Sequence, residues 1–188
     1  MALLKSQMVP LGTPAHDFSL LGIDDKNYSL DSFKEKKVMV IIFMCNHCPY
    51  VKAVFKRLID LQNDYKKKGV QIVGINSNEA LNYPEDSFEN MKKIAQEKGI
   101  SFPYLRDETQ EVARAYDAVC TPDIYVYGPE RKLVYRGRID DNWQDERAVT
   151  KRDLREAVDA ILQGEAAPEE QHPSMGCSIK WKYISEVY

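Results

Sequence analysis

The sequence predicts an α/β fold in which helices flank a central mixed β-sheet. Two apolar runs, residues 38–43 and 70–75, have the pattern of strands that are covered on both faces. A segment with helical spacing of apolar residues follows each run, at residues 51–65 and 88–95. This alternation is typical of a parallel core with crossover helices, and 188 residues suit a single domain.

Both predicted helices have recognisable ends. The first, about four turns long, is followed by three lysines at residues 66–68, which suit the negative end of the helix dipole. Gly69 can then take the position just after the helix. The second helix has Pro84 near its start and stops at Gly99.

The second half of the chain predicts a hairpin at the sheet edge. Val112, Ala113 and Tyr116 indicate a short helix, and strands follow at residues 124–127 and 132–136. A turn that contains Gly and Pro joins these strands, so we expect an antiparallel pair.

A last amphipathic helix is predicted over residues 154–162, with Thr150 and Asp153 as a start that resembles a capping box. The composition then shifts to Gly, Glu, Ala and Pro, as in an extended linker. We therefore expect a domain over residues 1–165 and a C-terminal linker and docking tail over residues 166–188.

The tail itself predicts a short strand. Apolar residues alternate there with Ser and Lys, which would place a thiol and three apolar groups on one face. These residues are Cys177, Ile179, Trp181 and Tyr183. An apolar strand of this kind also leads us to consider a homodimer, in which the tail completes a neighbouring subunit.

Composition excludes several classes of function. The net charge of −3 provides no field for nucleic acid or an anionic membrane, so we expect neither as a partner. The N-terminus lacks the pattern of a secretory signal, and no apolar stretch approaches the length of a membrane span. We expect a reducing, cytoplasmic setting, where the four cysteines are more typical of catalysis or metal binding than of structural disulfides.

The strongest chemical signal is the pair Cys45 and Cys48, which joins the first buried strand to the first helix. The positive helix N-terminus stabilises a thiolate, and we expect Cys45, exposed at the strand end, to gain most. Cys48 lies three residues later, close enough to resolve a mixed disulfide, and Pro49 suits the first helical turn. His47 between the cysteines is a candidate source of positive charge beside the thiolate. This predicts dithiol–disulfide exchange without a cofactor or metal.

Three segments together resemble a known family: residues 12–20, residues 43–49 and the Thr121–Pro122 pair that precedes a strand. They are similar to the alkyl hydroperoxide reductase/thiol-specific antioxidant branch of the thioredoxin-like superfamily, over most of the chain. The resemblance implies a thioredoxin-like fold with an N-terminal hairpin extension. It also implies a cis proline at residue 122 that faces the cysteines, so that Thr121 and Pro122 line a groove for substrate.

The resemblance further implies partners of a thiol-disulfide oxidoreductase. These are protein or small-molecule disulfides and thiols, with a thioredoxin-type or low-molecular-weight thiol as reductant. Unlike typical thioredoxins, the chain has Met44 before the first cysteine and no acidic residue between residues 38 and 43. The proton acceptor for Cys48 therefore has no candidate in the sequence.

Two alternatives remain open at this stage. The first is an antioxidant peroxidase that acts on hydroperoxides with Cys48 as peroxidatic and Cys45 as resolving thiol. In the peroxiredoxin motif, however, the position of Cys45 belongs to Thr or Ser and that of Ile41 to Pro. The second alternative is a metal-binding or structural module that recruits Cys120 and Cys177. Otherwise these two are auxiliary thiols or small buried residues.

Overall fold

The protein, a computed structural model that describes residues 3–182, has a main sheet of seven strands and a small sheet of three. The strands are β1 (Leu3–Lys5), β2 (Leu20–Gly22), β3 (Asn27–Tyr28), β4 (Val38–Phe43), β5 (Val70–Asn76), β6 (Tyr104–Arg106), β7 (Cys120–Thr121), β8 (Asp123–Tyr127), β9 (Leu133–Arg136) and β10 (Met175–Ser178). The helices are α1 (Pro49–Tyr65), α2 (Phe88–Lys98), α3 (Glu111–Ala115) and α4 (Asp153–Leu162). Within residues 3–182, no helix has the length and apolar character that crossing a bilayer requires.

The main sheet is mixed, as the sequence predicts. Its order is β3-β2-β6-β5-β4-β8-β9, with β4, β5 and β6 parallel and β8 antiparallel to β4. All six residues of β4 are buried. Alternate side chains of this strand belong to two apolar clusters, Val38, Val40 and Ile42 to one and Met39, Ile41 and Phe43 to the other. The sheet therefore has a packed layer on each face, which explains the continuous apolar run.

Helices α1 and α2 confirm the predictions for the first half of the chain. Helix α1 begins at Pro49, and a short 3-10 turn of lysines follows it before Gly69. Gly69 and Gly99 both have left-handed backbone conformations, at φ +90° and +67°, immediately after these helical segments. The glycines thus end the helices as expected.

The edge hairpin is also confirmed, because β8 pairs antiparallel with β9 at the end of the sheet. The expected cap of the last helix is wrong. Arg152 occupies the N-cap of α4 without a side-chain cap bond, and Thr150 instead hydrogen-bonds to Asp141. Asp153, the other residue of the expected box, accepts a hydrogen bond from Arg138 (Nε–Oδ2 3.0 Å).

The two terminal extensions take different places. Strands β2 and β3 form the predicted N-terminal hairpin. The tail strand is present, but it is shorter and begins earlier than predicted, at Met175. It ends at Ser178, so the expected single face is wrong: Cys177 belongs to one apolar cluster and Ile179 to the other. Tyr183, the last residue of the expected strand, lies outside the described residues.

The small sheet joins both ends of the chain to its middle. Strand β10 lies between β1 and β7 and pairs antiparallel with each. Its residues Cys177 and Ser178 oppose Thr121 and Cys120, respectively. The tail therefore completes a sheet of its own chain, immediately before Pro122.

Candidate active site

Cys45 and Cys48 lie where β4 passes into α1. Cys48 is the N-cap residue of the helix and Pro49 is its first residue, as the sequence predicts. Both thiols are enclosed, with 1% of Cys45 and none of Cys48 exposed to solvent. The expected exposure of Cys45 is wrong, and Thr121 of strand β7 is among the residues that cover it.

Thr121 brings β7 against both cysteines. Its hydroxyl lies 3.4 Å from the Cys45 Sγ, and its carbonyl oxygen accepts a hydrogen bond from the Cys48 thiol at 3.1 Å. The peptide bond between Thr121 and Pro122 is cis. Four of the residues that sequence reasoning selects, Cys45, Cys48, Thr121 and Pro122, are thus brought together by the fold.

Hydrogen bonds lower the pKa of Cys48. The Cys45 thiol donates the most effective one to the Cys48 sulfur, and the Val51 N–H and the thiol and N–H of Cys177 add to it. Burial acts in the opposite direction, as does the Thr121 carbonyl, which favours a protonated thiol. The donors outweigh both effects. The pKa of Cys48 is therefore below its ordinary value, and the pair carries its first negative charge there.

Cys45 has the opposite environment. Burial raises the pKa of its thiol well above the ordinary value, and the hydrogen bond to Cys48 and the charge of Asp86 raise it further. The Thr121 hydroxyl opposes this change only in part. The sequence-based expectation that Cys45 carries the thiolate stays a prediction.

His47 lies beside Cys45 and is held by Asp86. Its Nδ1 is 2.6 Å from the Asp86 Oδ2, and its ring stacks on Tyr83 with centroids 5.4 Å apart. A ring nitrogen of His47, the Cys45 Sγ and an Asp86 oxygen all lie within 4.8 Å of one another. The histidine is thus close to the thiols, but its charge partner is a buried carboxylate.

Asp86 is the functional residue that sequence reasoning missed. Its Oδ1 accepts hydrogen bonds from the Asn46 N–H (2.6 Å) and from Asn76 Nδ2 (3.3 Å), and its Oδ2 accepts one from Asn78 Nδ2 (2.7 Å). Burial raises the pKa of Asp86, but the hydrogen bonds, led by that of His47, outweigh it and lower the pKa below the ordinary value. The available signal was the polar segment at the end of β5, which leaves the sheet at the same edge as β4.

This group has the donor types of a metal site, but its carboxylate oxygens are already engaged. Both oxygens of Asp86 accept hydrogen bonds from asparagines or from the backbone. In the part of the chain that the structure describes, the four-thiolate zinc site is not formed. The Cys120 thiol is directed at the Pro122 carbonyl oxygen, 3.8 Å away. Burial also raises the pKa of Cys120, as expected for a small packed residue.

A cleft of about 260 Å³ lies beside Pro122. Tyr50 and Trp143 line it with their rings 4.2 Å apart, and Met175 of the tail strand closes one side. It therefore joins the cis-proline strand, the first turn of α1 and the tail.

Comparison with known proteins adds the family. The model of the AhpC/TSA family matches residues 11–136, which contain the cysteine pair and the cis proline. The chain belongs to the AhpC/TSA family. This confirms the resemblance inferred from the three sequence segments.

A curated protein from Bacillus subtilis is a relative of this chain. The chain is 28% identical to the thiol-disulfide oxidoreductase ResA of that organism over 123 residues. The match covers 65% of this chain and 64% of the relative, which is less than two thirds of the relative's length.

Solved structures confirm the fold. A crystal structure described as an uncharacterized conserved protein from Geobacillus kaustophilus has a TM-score of 0.93 and 53% identity, over 97% of both chains. The thioredoxin domain of a thiol-disulfide oxidoreductase from Bacteroides vulgatus has a TM-score of 0.60 and 23% identity, over 69% of this chain and 89% of that one. The fold is therefore thioredoxin-like.

Proposed function

We propose that this AhpC/TSA family member is a thiol-disulfide oxidoreductase that exchanges the Cys45–Cys48 dithiol with disulfides of proteins or small molecules. The observation that carries the proposal is the geometry at the start of α1, where Thr121 lies against both sulfurs: its hydroxyl is 3.4 Å from the Cys45 Sγ, and its carbonyl oxygen is 3.1 Å from the Cys48 Sγ. Two sulfurs in contact at a helix start suit the formation and opening of a disulfide. The name of the Bacillus subtilis relative supports the same class of reaction.

The different pKa values assign a first step. The Cys48 thiolate attacks one sulfur of the substrate disulfide, and the other substrate sulfur leaves as a thiolate. Cys45 then gives up its proton and attacks Cys48 in the resulting mixed disulfide, which releases the second substrate thiolate and leaves the Cys45–Cys48 disulfide. This proposed order differs from the order expected from the sequence, in which Cys45 attacks first.

We assign the proton acceptor for Cys45 to His47. In the described structure the Nδ1 of His47 pairs with Asp86, whereas its buried Nε2 has no hydrogen-bond partner. When Nδ1 donates to the carboxylate, the free Nε2 can accept a proton. Asp86 then acts as a positioning residue, which holds the imidazole ring within reach of Cys45.

The cleft beside Pro122 is the place where we propose that substrate groups enter. Its aromatic walls, Tyr50 and Trp143, suit an apolar side chain next to a disulfide. In the described structure the tail strand pairs with Thr121. A substrate backbone can therefore pair with Thr121 only when the tail has moved away. A thioredoxin-type or low-molecular-weight thiol in a reducing cytoplasm is the reductant that this proposal requires.

Reduction of insulin by dithiothreitol tests the proposed function. We expect Cys48→Ser to abolish catalysis, because the variant lacks both the thiolate and the sulfur that carries the mixed disulfide. Cys120→Ser is the matched control and should keep the activity, since the Cys120 thiol is directed at the Pro122 carbonyl. Catalysis by Cys48→Ser at the rate of the unaltered protein would refute the proposal.

A peroxidase remains the second candidate, because AhpC in the family description stands for alkyl hydroperoxide reductase. The motif argues against it, because Cys45 occupies the position at which peroxiredoxins have a hydroxyl. The proposal predicts slow consumption of hydrogen peroxide. It also predicts that dimedone traps little sulfenic acid in Cys45→Ser. Rapid consumption together with strong trapping favours the peroxidase instead.

A further inference from the structure

The tail strand β10 packs tightly against the residue that contacts both Cys45 and Cys48. Cys177 is directly opposite Thr121, the residue that contacts Cys45 and Cys48. The fit leaves no space at Gly176, where a Cβ atom would be 1.9 Å from the Thr121 carbonyl oxygen. The register of β10 is therefore fixed with the third thiol beside the first two.

Strand β10 also packs on helix α1, which begins immediately after Cys48. The two side chains are close enough to affect each other: Cys177 helps to lower the pKa of Cys48, and Cys48 helps to raise the pKa of Cys177. All three cysteines are buried in the same apolar cluster. Cys48 is thus the central sulfur of three, with a thiol neighbour from the strand–helix turn and another from the tail.

We propose that Cys177 is the third member of the redox centre and exchanges with the Cys45–Cys48 disulfide to form a Cys48–Cys177 disulfide. This inference rests on the proposed function, because it requires the Cys45–Cys48 disulfide as its starting point. The Cys177 sulfur, as thiolate, attacks the Cys48 sulfur, and the bond between Cys45 and Cys48 breaks. Cys45 leaves as a thiolate and takes up the proton that Cys177 lost. One disulfide is present before and after, so the step needs no oxidant.

Other contacts hold the tail in the position for this exchange. After β10, the Ile179 N–H donates to the Val119 carbonyl (3.0 Å), and the Lys180 N–H donates to Asn78 Oδ1 (2.9 Å). Asn78 also donates to Asp86, the partner of His47. The docked tail is therefore connected to the residues that position the proton acceptor of Cys45.

The exchange changes which sulfur is free. In the Cys48–Cys177 form the tail is covalently bound over Thr121, and Cys45 is left as a thiol beside His47. Return requires that Cys45 attacks Cys48 or that an external thiol does so. The tail is thus both a resolving element and a covalent cover of the oxidised site.

Disulfide mapping tests this inference. The reduced protein is treated with oxidised glutathione, quenched with acid, alkylated and mapped by mass spectrometry. We expect both Cys45–Cys48 and Cys48–Cys177 disulfides in the unaltered protein. In Cys45→Ser, Cys48 attacks glutathione disulfide and Cys177 resolves the mixed disulfide, so that the Cys48–Cys177 disulfide predominates.

Matched variants separate the possible failures. Cys120→Ser should give the same two disulfides as the unaltered protein. If Cys45→Ser keeps glutathione on Cys48 with a free Cys177 thiol, and the unaltered protein forms only Cys45–Cys48, the inference is refuted while the proposed function stands. If the unaltered protein does not form Cys45–Cys48, the proposed function itself fails. The unaltered protein is mapped as well, so the test still distinguishes the two outcomes if a variant does not fold.

Discussion

Four cysteines of similar burial have different chemistry in this fold because their hydrogen-bond partners differ. Cys48 receives hydrogen bonds from two thiols and from backbone N–H groups, whereas Cys120 faces a carbonyl oxygen. Cys45 lies near the negative charge of Asp86. Thiol acidity is thus set by the donors and charges around each sulfur rather than by exposure.

A pH titration of thiolate absorbance near 240 nm tests this difference. Because the pKa of Cys48 is lowered, we expect its thiolate to persist as the pH falls below the ordinary thiol pKa of about 8.5. Cys45→Ala removes the most effective donor, so the midpoint of the titration should move to higher pH. Cys120→Ala should leave it in place. An unchanged midpoint in Cys45→Ala contradicts the assignment of Cys45 as the donor.

At the same scale, the local motif identified three residues of the site. Cys45, His47 and Cys48 are adjacent in the sequence, so their proximity follows from the chain itself. Asp86 lies about forty residues away in a 3-10 turn, and in the folded protein it bonds to His47 and to the Asn46 N–H. No spacing rule marks such a residue, and its burial was not predictable because charged side chains are usually exposed.

The elements differ in how well the sequence predicts them. Strands β4 and β5 have continuous apolar runs because both of their faces are covered, and α1 has a clear helical period. Strands β1, β7 and β10 have two to four residues each, too few for a period to show. Their pairing depends on contacts between distant parts of the chain. These short strands nevertheless determine how the thiols are covered.

Gly176→Ala tests whether the tail strand β10 limits access to the Cys45 and Cys48 thiols. The added Cβ meets the Thr121 backbone at 1.9 Å. Overpacking of this kind costs about 1–3 kcal/mol. The tail should therefore open more often, and alkylation of the reduced pair by iodoacetamide should accelerate roughly tenfold, as expected for about 1.4 kcal/mol.

Gly128→Ala is the control, because its Cβ meets Val134 at an ordinary distance of 3.6 Å. We expect the thiols of this variant to react at the rate of the unaltered protein. Equal alkylation rates in the two glycine variants show that the tail strand does not limit access to the pair.

At the scale of the whole molecule, buried ion pairs join residues of the second half of the chain to one another and to α1. Arg136 at the end of β9 pairs with Asp123 of β8 at 3.2 Å, with no exposure of either side chain. Arg57 of α1 pairs with Asp140 at 2.6 Å and is also buried. Charge patterns in a sequence do not reveal such pairs, because only the tertiary fold removes them from water.

Arg136→Met tests the stabilising role of the first pair. The substitution leaves Asp123 buried without its partner, and we expect a loss of about 3–5 kcal/mol in the free energy of unfolding. Arg147→Met removes an exposed pair, since 92% of the Arg147 side chain is accessible, and should cost no more than about 1 kcal/mol. Urea unfolding of both variants provides the measurement. Equal losses in the two variants contradict a special role for the buried pair.

The position of β10 in the middle of its sheet has a consequence for the motion of the chain ends. The tail shares one edge with β1 and the other with β7. If it left alone, it would break both ladders, but if it moved together with β1 it would keep the ladder between these two strands. The N-terminal strand and the tail should therefore swing away as one ribbon, a cooperative unit of local unfolding. The reactivity of Cys45 and Cys48 would then depend on how often the two terminal strands detach. A tag fused to the N-terminus would therefore alter redox kinetics without contacting the site.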